Sequence, residues 1–136
     1  MTPADFVGHW QVGRVISDRQ TGQVGRFDGQ AVLSPRGPSG LVYAETGQLR
    51  FGTAPVMTAT RRYVWAFQPG LVLVSFDDGR PFHSFSPDVS GAGTDHLCGA
   101  DLYCVLYGFS DWPVWTARWQ VTGPRKDYTL ASRYWR

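Results

Sequence analysis

Apolar and polar residues alternate along most of the chain, the period-2 pattern of strands whose two faces meet different surroundings. From Gly8 to Asp18, Trp10, Val12, Arg14 and Ile16 fall on one side and His9, Gln11, Gly13 and Val15 on the other. Val24 to Leu33 repeats the pattern, with Phe27, Gly29, Ala31 and Leu33 in phase against Arg26, Asp28 and Gln30. Small residues on that apolar phase suit a sharply curved sheet. Leu41 to Thr46 and Gln48 to Phe51 predict a short hairpin around Thr46-Gly47, and Met57 to Phe67 a longer strand with Tyr63, Trp65 and Phe67 in phase. After Pro69-Gly70 comes the apolar run Leu71 to Phe76, and Asp78-Gly79 predicts a type I′ turn into the returning strand Arg80 to Phe85. Pro87 to His96, with Gly91 and Gly93, reads as a loop long enough to act as a lid or a rim. Asp101 to Phe109, Val114 to Val121 and Asp127 to Trp135 complete the set, broken at Asp111-Trp112-Pro113 and at Gly123-Pro124-Arg125-Lys126.

Nine or ten strands in up-and-down order predict an all-β fold, a sandwich or a closed barrel, and the barrel is favoured because closure removes exposed edges. Composition fits one domain over residues 1–136: 43% apolar and 15% aromatic residues supply a core, while 16 glycines, 9 prolines and only 18% charged residues argue for turns over long helices. A net charge of +2, with no block of like charges, makes nucleic acid an unexpected partner. Met1 to Val7 has neither the basic segment nor the apolar run of an export signal, and no later stretch approaches a membrane span. A cytoplasmic location without a membrane partner is therefore expected. Cys98 and Cys104 are too few for a disulfide framework and do not form a CxxC pair, so free thiols are expected.

The opening Gly8-His9-Trp10 resembles the glycine-x-tryptophan of the first strand of calycins, the superfamily of lipocalins and fatty-acid-binding proteins. A wider pattern consists of Phe6-x-Gly8-x-Trp10, Tyr43-x-Glu45-x-Gly47, Tyr63-x-Trp65, Asp78-Gly79-Arg80-x-Phe82-His83, His96-x-Cys98-x-x-Asp101-x-Tyr103 and Gly123-Pro124-x-Lys126-x-Tyr128. It resembles a family of small calycin-like bacterial and fungal proteins classed as a domain of unknown function. The resemblance covers nearly the full chain. It implies a single antiparallel up-and-down barrel in which the tryptophan closes the floor and an arginine of the last strand, Arg133 or Arg136, covers it. It implies no activity.

The chemistry must come from the inward phase. If Trp10 faces in, alternation places Arg14, Tyr43, Glu45, Arg61, Tyr63, Trp65, His83, Asp101, Tyr103, Tyr107, Trp115 and Tyr128 inside, together with Phe85, Trp119 and Tyr134. Arg26, Asp28, Arg50, Arg62, Arg118 and Gln120 fall outside. So many polar groups within a barrel need partners, which points to water or a ligand inside. The expected function is to bind a small, partly apolar or aromatic molecule with a polar or anionic end. Arg14 and Arg61 are the candidates for an anion, since guanidinium matches a carboxylate with two parallel bonds; pairing of these arginines with Glu45 and Asp101 is the alternative. An acid/base enzyme (isomerase, cyclase or hydrolase) is the second reading, with His83 oriented by Asp101 and Tyr103 or Tyr107 as proton donor. His83, His96, Cys98 and Asp101 are the metal-ligand types present, though their spacing matches no zinc signature, and a haem would take His83 or His96. The residues name no cofactor. Trp112, Pro113 and Trp135 suit either a contact surface, as in a homodimer, or plugs for the barrel ends.

Overall fold

Each alternating stretch becomes a strand, and a computed structural model describes residues 1–136 as one helical turn followed by eleven strands. Helix α1 is Pro3–Phe6. The strands are β1 (Gly8–Asp18), β2 (Val24–Arg36), β3 (Gly40–Phe51), β4 (Met57–Gln68), β5 (Leu71–Phe76), β6 (Pro81–Phe85), β7 (Gly91–Ala92), β8 (His96–Cys98), β9 (Asp101–Gly108), β10 (Trp115–Gly123) and β11 (Lys126–Trp135). They pair antiparallel in the order β6-β5-β4-β3-β2-β1-β11-β10-β9-β7, with β8 also on β9. Because β1 pairs with both β2 and β11, the two ends of the chain zip together, and the ten ordered strands form a nearly closed barrel. Its open seam lies between β6 and the β7–β8 segment. There Thr94 N–H donates to Ser84 O at 2.9 Å and Ser84 N–H to Thr94 Oγ1 at 2.8 Å in place of a ladder.

Inward and outward phases sort as the alternation requires. Trp10, Phe27, Trp65, Phe85 and Trp115 are buried, whereas Arg26, Asp28, Arg50, Arg62, Arg118 and Gln120 are exposed. The lower end is shut by α1. Pro3 begins the turn and Thr2 N–H donates to Asp5 Oδ2 at 2.7 Å, which sets Phe6 edge-on against Trp65, Trp112 and Trp115 at centroid distances of 5.4, 5.0 and 5.8 Å. Trp10 Nε1 donates to Phe6 O at 2.8 Å. The arginine over Trp10 is Arg136, 4.0 Å above the ring; Arg133 instead lies over Trp135.

Three local expectations are corrected. The hairpin at Thr46-Gly47 does not form, because β3 runs unbroken and pairs with β2 and β4 on both sides of Gly47. Gly47 lies opposite Gly29, and the two backbones approach so closely that a Cβ on Gly29 would sit 2.2 Å from Thr46 O. These glycines bend the sheet rather than turn the chain. The β5–β6 turn is not type I′, which needs positive φ at two successive residues, since only Gly79 has one here (φ 91°). Gly79 N–H donates to Phe76 O at 2.9 Å and Phe76 N–H to Arg80 O at 2.8 Å, a three-residue loop closed by a left-handed glycine. Finally, the expected loop at 87–96 contains β7 and leads into β8, both too short to carry a readable period.

Candidate functional site

The inward side chains enclose a cavity of about 680 Å³ that opens at the end opposite α1. Arg14, Tyr43, Glu45, Arg61, Tyr63, Trp65, His83, Tyr103, Tyr107, Trp115 and Tyr128 all line it, as do Trp119 and Tyr134. Asp101 does not: it lies at the start of β9 and pairs with Lys126 Nζ at 3.0 Å, with Lys126 also reaching Tyr103 Oη at 3.4 Å. Alternation gives a residue's face but not its height, so a residue at the strand's first position falls outside the chamber.

One wall carries a closed polar network. Arg14 donates from Nη1 to Glu45 Oε2 at 2.9 Å and from Nη2 to Glu45 Oε1 at 2.6 Å, while its Nε donates to Ser132 Oγ at 2.6 Å. Tyr43 Oη donates to Glu45 Oε1 at 2.6 Å and lies 3.0 Å from Tyr134 Oη. Burial alone would raise the Glu45 carboxyl, but the hydrogen bonds and charge of Arg14 hold it below its ordinary range. Arg14 therefore takes the pairing alternative with Glu45 and is neutralised inside the barrel. Burial pushes the Tyr43 and Tyr107 hydroxyls well above their ordinary pKa, which keeps them protonated as donors.

The facing wall holds His83. Its Nε2 lies 2.7 Å from Tyr107 Oη, its ring stands edge-on to Trp119 at 4.7 Å, and Phe82 stacks on Trp119 at 5.0 Å. Burial, with a smaller effect of His96, pushes the His83 pKa down to about 3, so the ring is neutral near pH 7. Of the groups expected around it, Asp101 to orient the ring and Tyr103 or Tyr107 as proton donor, Tyr107 meets it and Asp101 does not. His83 Nδ1 is buried without any hydrogen bond, and so is Trp115 Nε1. No three His, Cys, Asp or Glu side chains meet where they could hold a metal ion, so the zinc alternative lacks its ligand set. A haem on His83 would have to displace Tyr107 from Nε2.

The mouth is formed by Arg61 and Arg80, by Tyr103 and Tyr128, and by His96, Leu97, Cys98 and Gly99 of the β8 segment; of the loop expected as a lid or rim, Pro87 to His96, only His96 lines it. The sequence reading missed Phe76, Phe82, Ala117, Leu130 and Ser132. Ala117, Leu130 and Ser132 share the phase of Trp115, Tyr128 and Tyr134, a signal that was present. Phe82 and His83 are neighbours, yet both line the cavity, beside a register shift at Val74/Ser75 that alternation cannot reveal.

A nearly closed ten-stranded antiparallel barrel, floored by aromatic rings and hollow above them, defines the structural class. Residues 6–136 match the model of a family of unknown function, DUF6314, and the chain belongs to that family. Among solved structures it is similar to the S-type phycobiliprotein lyase CPES from Guillardia theta, with a TM-score of 0.58 and 10% identity, over 97% of this chain and 87% of that one. It is also similar to a redesigned β-barrel, mFAP0, solved bound to DFHBI, with a TM-score of 0.50 and 18% identity, over 97% and 99% of the two chains. At these identities the likeness is one of fold. Comparison with curated protein sequences finds no significant match.

Proposed function

We propose that the protein binds a small, partly apolar or aromatic molecule with a polar or anionic end inside the barrel. The observation that carries this reading is an aromatic cavity of about 680 Å³ whose wall also carries the hydroxyls of Tyr43, Tyr63, Tyr107 and Tyr134 and the guanidinium of Arg61. Stacked rings such as Tyr43 on Trp65 and Phe82 on Trp119 offer apolar faces for the body of the molecule. The mFAP0 barrel, solved with DFHBI, supports the reading through fold alone.

The acid/base alternative has the His83–Tyr107 contact in its favour. Against it, a general base works best with a pKa near the operating pH, and His83 sits at about 3 with Asp101 engaged elsewhere. Binding is the better-supported function.

Native mass spectrometry of the protein as purified, compared with its denatured mass, tests the reading. A retained organic mass is the expected result. A protein that carries no mass and also fails to bind an added neutral aromatic probe would overturn it, and a Soret band in the same sample would assign the cavity to haem.

A further inference from the structure

Only four formally charged side chains line the cavity: Arg14, Arg61, Arg80 and Glu45. Arg14 is spent on Glu45, whose two oxygens accept from Arg14 and Tyr43, and Arg80 Nε donates to Asp78 Oδ2 at 2.7 Å beside the turn. Arg61 stands opposite Glu45 in the β3–β4 register, yet it makes no ion pair and no side-chain hydrogen bond. With Arg14 and Glu45 cancelling and Arg80 paired, the chamber keeps one uncompensated positive charge, at its mouth.

The uncharged aromatic groups lie at the other end. Along β4, Arg61, Tyr63 and Trp65 are successive inward positions from mouth to floor. His83 is level with Trp65, because both pair with Val74 of β5. Trp115 packs on Phe6 and Trp10 of the floor, at 5.8 and 5.9 Å. Four residues of strand separate the levels of Arg61 and His83, about 13 Å, with aromatic rings between them.

Resting on the binding function proposed above, we infer that the ligand class is an amphipathic aromatic anion, a carboxylate or sulfonate on a flat apolar body, held with its charge on Arg61 at the mouth and its uncharged end among the aromatic rings toward the floor. Guanidinium offers a carboxylate or sulfonate two parallel donors. The same anion placed at the floor would lose its hydration among aromatic rings, with no free cation to answer it. The orientation is therefore set by where charge is left over, not by where arginines occur.

Two matched probes test this: 8-anilinonaphthalene-1-sulfonate, and N-phenyl-1-naphthylamine, which is the same aromatic body without the sulfonate. Both are titrated by fluorescence into the full chain and into Arg61→Gln, with displacement of the neutral probe by the anionic one as the check that they share a site. The expected result is that Arg61→Gln weakens the sulfonate by about fivefold, consistent with a partly solvated charge-assisted contact, abolishes its salt dependence, and leaves the neutral probe unchanged. Equal effects on both probes, or none on either, overturn the assignment of Arg61 while leaving the cavity function standing. Failure of the neutral probe to bind the unsubstituted protein sinks the cavity function and this inference with it.

Discussion

Arg14 and Glu45 meet side-on inside the barrel, joined by two parallel hydrogen bonds of 2.9 and 2.6 Å, with the Glu45 side chain 1% exposed. Removing one partner leaves a buried charge, whereas removing both leaves a hydrophobic wall. Arg14→Met alone should therefore cost about 3–5 kcal/mol. Arg14→Met combined with Glu45→Leu should recover most of that loss. Urea unfolding of the single and double variants measures the difference; additive losses would show that the pair is not coupled.

Acid should loosen this barrel earlier than its carboxylates require. His83 titrates at about 3 when folded against an ordinary value of 6.5, so between those limits the unfolded chain binds a proton that the native state refuses. Stability is full above pH 6.5 and falls as the pH drops toward 3, by at most about 1.4 kcal/mol per pH unit from this residue. Glu45, lowered from 4.5, adds a loss in the same direction only below that value. His83→Gln should flatten the stability profile between pH 6.5 and 4.5 while preserving the steeper loss below. An unchanged profile would mean that His83 titrates normally in the folded protein.

For the cavity occupant identified by mass, His83→Ala should weaken binding by about tenfold, because it removes a cavity-lining ring and the partner of Tyr107 Oη. Isothermal titration with that molecule measures it, and an unchanged affinity would remove His83 from the site. Where a reaction does occur on the bound molecule, the same substitution abolishes turnover rather than trimming affinity.

Gly29→Ala should cost about 2–3 kcal/mol, because the added methyl meets backbone atoms, Thr46 O at 2.2 Å and Gly47 Cα at 2.7 Å, which have nowhere to move. Gly91→Ala, where a methyl enters open space, should shift stability by no more than about 0.5 kcal/mol. Thermal unfolding of the two variants side by side is the comparison, and equal melting temperatures would contradict the close approach.

Strand content and facing were legible in the sequence because alternation is a local consequence of the pleat. The tyrosine hydroxyls, Arg14 and Glu45 fell on the interior phase by counting alone, and of the two arginines offered for the place over Trp10, Arg133 and Arg136, it is Arg136 that lies there. What could not be read was set by distant partners. Gly47 serves as a bend rather than a turn only because Gly29 lies opposite, 18 residues earlier in the chain. Asp101, Tyr103 and Tyr107 were all offered to His83, and the height of each along β9 leaves only Tyr107 against it. The solitude of Arg61 is a property of all its neighbours at once, which no spacing in a chain expresses.

The floor built from Phe6, Trp10 and Trp112, fastened by Arg136 to the carbonyls of Asp5 and Val7, gives the chamber a bottom. A tube treats its two ends alike, but a cup does not. Whatever enters from the rim arrives with one end leading, leaves in the reverse order, and presents to the outside only the part that went in last. The aromatic plug thus confers polarity on an otherwise repetitive wall, and any partner that reads the loaded state has a single face on which to read it.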